Sequence, residues 1–315
     1  MSKHDSILSD NQIKQIDEKY AELSDNDIIE RLAYLEIVND EKHIIISDIE
    51  PTKELISLSS QIFDIQKDFQ KIKTMFELFV SDVADFLSIK VKLESKKLSI
   101  DEVSINRFMI HLLSSGKLFV DFNENQIKQK YSKNSEELKQ IHSFASHQYE
   151  TNFAYRFCYS LRNFSQHIDV PIQKIKVVSP DDETIVVKFY IDLDYLLNSS
   201  FDWKKLKNEL LALRSETSKI DAIMLTEDYL QSIVELYDDY CKLFLELNHN
   251  KLVGIKSKLE NLNLKHDKYY ISKISKYDLK YNPSNHTFSP IAAFAEIEEI
   301  YIELSKIGLV NIIQK

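Results

Sequence analysis

Apolar residues recur at intervals of three and four along most of the chain. The longest such stretch follows Pro51 and runs from Thr52 to Ile89. In it Leu55, Ile62, Ile65, Phe69, Ile72, Phe76, Phe79, Val83 and Phe86 fall on one stripe, which predicts a long amphipathic helix. The same spacing predicts helices over 11–23, 27–38, 105–119 (interrupted at Gly116), 193–197, 203–214, 226–247 and 291–307. Asn134 and Glu137 stand at capping-box spacing. The helix they open extends to about Ile168, with Pro171 as its stop.

The helical rhythm breaks in three places. Lys42–Ile49 contains three consecutive isoleucines and reads as a strand. Ile172–Val178 and Thr184–Ile191 are rich in Val and Ile and flank the turn-forming run SPDDE, which predicts a β-hairpin. Residues 282–290 read as a polar loop. The expected architecture is therefore mainly α: a multi-helix bundle with one small β-hairpin and helical N- and C-terminal extensions. The expected divisions are a helical region over 1–98, a helical domain over 99–250 carrying the hairpin at 172–191, and a helical extension over 251–315.

Composition narrows the function. Only 3 of 315 residues are glycine, which excludes folds that bring backbone against phosphates through glycine-rich turns. Cys158 and Cys241 are the two cysteines; they offer neither a disulfide framework nor a metal-knuckle spacing, so a reducing cytoplasm is expected. The start MSKHDSILSD lacks the apolar run of a signal peptide, and no run approaches the length of a membrane span, so no membrane partner is expected. The net charge is −10, which opposes non-specific nucleic-acid binding. The excess is local, however: residues 1–50 carry 5 basic and 13 acidic side chains and residues 181–250 carry 7 and 15. The stretch between is slightly basic, which leaves room for a local site built on a few arginines.

One segment carries the chemistry. Between Thr151 and Ile168 there is no Lys, Asp or Glu, although 29% of the chain is charged. On a helical wheel of about 100° per residue, Arg162, Tyr155, Gln166, Tyr159, Asn152, Asn163, Arg156 and His167 span one arc of about 140°, opposite an arc of Phe153, Phe157, Cys158, Leu161 and Phe164. Arg, Tyr, Asn, Gln and His donate directional hydrogen bonds and stack, so such a face suits contact. The contact is either a helix–helix interface inside the monomer or a ligand or dimer cleft.

Arg162-Asn163-Phe164-Ser165-Gln166-His167 resembles the R-x4-6-H motif of the HEPN superfamily, in which a polar residue often follows the arginine. The resemblance covers roughly residues 100–250 and differs from a plain HEPN bundle by the hairpin. It implies a metal-independent endoribonuclease without a cofactor, in which two motif helices of a homodimer form one composite RNA site. It places Arg162, His167 and Asn163 in catalysis and Tyr159, Gln166 and Arg156 in RNA contact. Histidine ordinarily titrates near neutrality and can move the protons of 2′-hydroxyl attack and 5′-oxygen departure. Arginine can hold the phosphate through two parallel donors. The products would be a 2′,3′-cyclic phosphate and a 5′-hydroxyl. The resemblance also implies a toxin or phage-defence effector, with an antitoxin or regulatory protein as partner. The alternatives are a non-catalytic HEPN-like RNA- or nucleotide-binding or regulatory protein, and a helical interaction scaffold.

Other constellations read as structure. His142, His147 and Glu150 lack metal-ligand spacing, His286 sits in a loop without ligand neighbours, and no G-x-S-x-G elbow exists. Cys158 falls on the apolar arc and reads as core. Asp181-Asp182 and Asp238-Asp239 read as a turn and a solvated helix face.

Overall fold

A computed structural model describes residue 8 and residues 10–38, 41–95, 101–179, 185–262, 264, 266 and 268–311. Residues 1–7 and 180–184, which hold the extreme N-terminus and all of the SPDDE run (179–183) but Ser179, lie outside these residues, so the expected Asp181-Asp182 turn does too. The chain begins with α1 (Asp10–Lys19), β1 (Ile28–Val38) and β2 (Glu41–Ile46). Then come four helices: α2 (Lys53–Glu94), α3 (Glu102–Lys130), α4 (Glu136–Thr151) and α5 (Phe153–His167). A β-rich stretch follows, with β3 (Lys174–Val178), β4 (Val186–Asp192), α6 (Leu193–Asn198), α7 (Leu206–Glu216) and β5 (Lys219–Asp221). The chain closes with α8 (Ala222–Asn261), β6 (Tyr269–Ser275), α9 (Lys276–Tyr281), β7 (Thr287–Ile291) and α10 (Phe294–Lys306). The protein is mainly helical, as its periodicity predicts.

Two compact units form. One combines residues 1–68 with 246–315; the other spans 69–245. Residues 1–68 of the expected N-terminal region thus join the C-terminal extension in one unit, whereas 69–98 belong to the other; the first unit contains an antiparallel sheet of order β2-β1-β6-β7. The helix expected over 27–38 is the strand β1, paired with β2 on one side and β6 on the other (Ile29↔Ile274, Leu32↔Ile271). Its apolar spacing fits a helix locally, and a partner more than 200 residues away makes it a strand. The second half of the expected 282–290 loop likewise joins the sheet as β7, opposite β6. Two buried lysines of α9 tie this unit together. Lys276 Nζ donates to the carbonyls of Tyr20 and Leu23 (2.8 and 3.0 Å), and Lys280 Nζ reaches Asp25 and Asp17 (2.7 and 3.0 Å).

The second unit is built around α2 and α8 running antiparallel. Phe69 meets Phe244, Phe76 stacks on Tyr237 and Phe79 meets Tyr229 edge-on, with ring centroids 5.0, 4.0 and 5.5 Å apart. The apolar stripe read in the sequence is thus core. The predicted hairpin is β3–β4, and β5 extends it to three strands. α3 passes through Gly116 without a break, and the residue is a glycine because Tyr229 of α8 lies where a Cβ would be: its Cζ is 2.8 Å from that position.

Asp238 and Asp239 on α8 are not a fully solvated face. Burial first, then the neighbouring Asp239 charge, pushes the Asp238 carboxyl above its ordinary 3.8. Asp239 is raised as well, with burial the largest cause. A carboxyl that binds its proton more tightly when folded stabilises fully below its unfolded pKa, and that stability is lost as pH rises through the folded value. Asp238→Asn is therefore expected to raise Tm at pH 7 by roughly 1–2 °C and to leave it unchanged near pH 3. Differential scanning calorimetry at the two pH values checks this.

Candidate functional site

The motif helix starts at a break that the sequence reading ran through. Ser135, not Asn134, caps α4, accepting from the Leu138 N–H at 3.2 Å. The expected single helix to Ile168 is split at Asn152. Its extended backbone ends α4, and its side chain accepts from the Tyr155 N–H at 3.2 Å to start α5. An asparagine placed this way satisfies one orphan group at each end, the Gln148 carbonyl through its N–H and the Tyr155 N–H through its side chain.

Arg156 braces the same break. Its Nη1 donates to the carbonyls of Tyr149 and Glu150 (2.9 and 3.2 Å), the otherwise open end of α4. Its Nε and Nη2 bind Glu209 of α7 (3.1 and 2.7 Å). The expected RNA contact from Arg156 is thus occupied by intramolecular partners. Arg156→Ala is expected to destabilise the protein by about 2 kcal/mol, the scale of charge-assisted hydrogen bonds, and urea denaturation measures it.

The remaining residues of the arc divide by depth. Tyr155, expected on the contacting face, is 5% exposed and packs 6.2 Å from the Tyr229 ring. Arg162 and Asn163 are half-buried, whereas Tyr159, Gln166 and His167 are exposed. Arg162 Nη1 donates to the Asn163 side-chain oxygen at 3.2 Å, and its buried Nε has no partner among the described residues. His167, the last residue of α5, has no hydrogen bond or ion pair among the described residues.

The opposite arc is core, as its composition predicts. Phe157 and Phe164 stack on Trp203 at 6.0 and 5.7 Å. Cys158 is fully buried, and burial pushes its thiol well above the ordinary value. Cys241 is also buried, its thiol pushed up to about 12. Both thiols are therefore protonated and poor nucleophiles at neutral pH.

α5 lies antiparallel to α3. Lys117 Nζ sits 5.2 Å from the centre of the Tyr159 ring. Further along α5, beyond its end, Asn106 grips Ile172: its amide donates to the Ile172 carbonyl (3.0 Å) and its oxygen accepts the Ile172 N–H (2.8 Å). Between these two contacts, Arg162 and Gln166 run alongside the α3 stretch from Arg107 to Lys117. The two-bond clasp by buried Asn106, and the bond from the Tyr195 hydroxyl to Asp169, hold the chain leaving His167. The Tyr195 bond is the main cause that lowers the Asp169 carboxyl below its ordinary value.

At this end of the groove a cleft of about 400 Å³ opens between α3 and the residue Val170, lined also by Glu102, Asn106, Arg107, Ile110 and His111. Arg107 and His111 are exposed. The sequence reading passed over them, although their spacing of one helical turn within an expected helix was in view. Of the alternative histidines, His142 pairs with Glu124 at 3.1 Å and His286 with the Ser272 hydroxyl at 2.6 Å. Among the described residues, no group of three or more His, Cys, Asp or Glu side chains could hold a metal ion. No described helix is long and apolar enough to cross a membrane.

The fold and this groove define a mainly helical protein whose arginine- and histidine-bearing helices lie side by side. No family model matches the chain, and neither a curated protein nor a solved structure matches it.

Proposed function

We propose that the protein is a metal-independent endoribonuclease of HEPN type, acting as a homodimer through α5, with Arg162, His167 and Asn163 as its catalytic residues. The observation that carries this reading is the state of Arg162. In a chain with 50 acidic residues, its guanidinium has no carboxylate partner among the described residues and bonds only to Asn163. A charge held that way is matched to an anion from outside.

In the proposed reaction the RNA 2′-hydroxyl gives up its proton and attacks the adjacent phosphorus. The P–O5′ bond breaks and the 5′-oxygen takes a proton. His167 moves protons, Arg162 neutralises the phosphoryl oxygens, and Asn163 orients the guanidinium. Tyr159, exposed and edge-on to Tyr149 at 6.0 Å, is suited to stack on an unpaired base, and Gln166 to bond its edge. Arg162 and His167 lie about 140° apart on one helix, which favours a phosphate shared between two copies of α5. The roles of toxin or phage-defence effector, the antitoxin or regulatory partner, and the cytoplasmic setting belong to the same proposal and rest on the motif resemblance and the two free thiols.

The buried Arg162 Nε favours a second reading, RNA binding without cleavage. Labelled single-stranded RNA incubated with the protein and excess EDTA separates the two. Cleavage to 2′,3′-cyclic phosphate ends is expected; binding without any cleavage overturns the nuclease and leaves the binder.

A further inference from the structure

Five arginines occur in the chain. Three are neutralised by carboxylates: Arg31 by Glu50 (2.8 Å), Arg156 by Glu209 (2.7 Å), and Arg214 by Asp194. The other two, Arg107 and Arg162, have no carboxylate partner among the described residues, and they lie on the facing helices α3 and α5. His111 and His167 follow those two arginines on the same helices, and, like the His147 and His266 imidazoles, their side chains have no hydrogen bond or ion pair among the described residues. Asp101, near Arg107 in sequence, directs its carboxylate to the Val103 N–H (3.1 Å) and the Ser104 hydroxyl, and attraction to Arg107 is the smallest of the causes that hold its carboxyl below the ordinary value.

The two pairs differ in what one helix can do with them. Residues five apart diverge by about 140°, but residues four apart diverge by only about 40° and sit one turn above each other. Arg107 and His111 can therefore address one phosphate together from a single helix. They line a cleft that also offers an apolar wall, Ile110 and Val170, against which a sugar or base can rest, with Glu102 as the one carboxylate among its lining residues. Val170 is three residues beyond His167, so the cleft adjoins the end of the motif helix.

We infer that Arg107 and His111 form a second phosphate subsite, which holds a neighbouring phosphate of the same single-stranded RNA whose scissile phosphate is held by Arg162. This rests on the nucleic-acid reading of α5 but not on cleavage. It makes the α3–α5 groove a track within one chain and predicts that strand length, not only the scissile dinucleotide, sets affinity. The shared ligand chemistry is a phosphate, so free anion and strand must be told apart.

The test is fluorescence anisotropy on the full chain, using a labelled RNA dodecamer and a dinucleotide at several salt concentrations. Arg107→Ala and His111→Ala change exposed residues. Each is expected to weaken dodecamer binding about 5- to 10-fold and Arg107→Ala to reduce the salt slope by about 0.7, the loss of one single-strand phosphate contact. Dinucleotide binding should stay unchanged, and Arg107→Lys should recover part of the loss. Dodecamer affinity and salt slope equal to wild type in both variants overturn the subsite. If Arg162→Ala abolishes cleavage in that same case, the nuclease stands without it. Weakened binding in the α3 variants with no cleavage by the wild-type chain supports the subsite and overturns the nuclease. Equal competition by inorganic phosphate and by dodecamer marks a free-anion site and overturns the strand track. Absence of any RNA binding overturns both readings.

Discussion

Arg162→Ala is expected to lower RNA cleavage by about 10²- to 10³-fold, and His167→Ala by about 10²- to 10⁴-fold, the usual scale for removing a transition-state donor or a proton-transfer group. Neither loss should come from unfolding. His167 is exposed at the end of α5 and without partners among the described residues, so its removal leaves the core untouched. Arg162 buries an Nε that has no partner among the described residues, and deleting an unsatisfied polar group is neutral or stabilising. Arg162→Lys should restore little, because an ammonium cannot make two parallel bonds to a phosphate. Single-turnover cleavage of labelled RNA measures the loss, and thermal melts check the fold.

The shared-site geometry makes a sharper demand. If one phosphate is held by the arginine of one copy and reached by the histidine of the other, mixing inactive Arg162→Ala with inactive His167→Ala restores cleavage through mixed dimers. Variants that stay active singly would remove Arg162 and His167 from catalysis and end the HEPN-type site, and variants that lose their fold would show these side chains to be packing groups.

Gly116→Ala is expected to destabilise the protein by about 2–3 kcal/mol, although alanine is the better helix former by about 1 kcal/mol. The added methyl would lie 2.8 and 2.9 Å from Cζ and Cε1 of Tyr229, and closer still to its hydroxyl. Tyr229 cannot move aside: it is 3% exposed and wedged between the Phe79 and Tyr155 rings. The strain therefore falls on the α3–α8 contact, beside Arg162, and a Tm loss of about 5–10 °C follows. Tyr229→Phe removes the hydroxyl and should restore part of the loss in the double variant. Gly254 is the control. No atom of the described residues lies within 4 Å of its missing Cβ, so Gly254→Ala in mid-helix should stabilise by about 0.5–1 kcal/mol. Equal effects at the two glycines would refute the packing explanation.

Gly116 also shows where reading the chain locally misleads. Taken alone, a glycine in a helical pattern looks like an interruption. Here it is a close approach, and the reason lies more than 100 residues away in Tyr229. Arg156 is a similar case. Its place on the polar arc was legible, but its partners, the end of α4 and Glu209 of α7, come from a helix break and a neighbouring element that no local pattern encodes. Asn152 produces that break because its short side chain can cap the following turn, a competition between helix and cap that apolar spacing does not register. Arg107 and His111 were legible as a one-turn pair; what singled them out was that neither side chain forms an ion pair among the described residues.

The chain's own order determined its long helices, its Val- and Ile-rich hairpin and the two-faced character of α5, because each follows from a period of apolar positions within a few turns. Tertiary structure alone decided that 28–38 is a strand, that the two ends of the chain build one sheet, and which arginines form no ion pair among the described residues. Those outcomes depend on partners distant in sequence. A strand exists only by pairing, and a cation is available only where folding brings no acid to it.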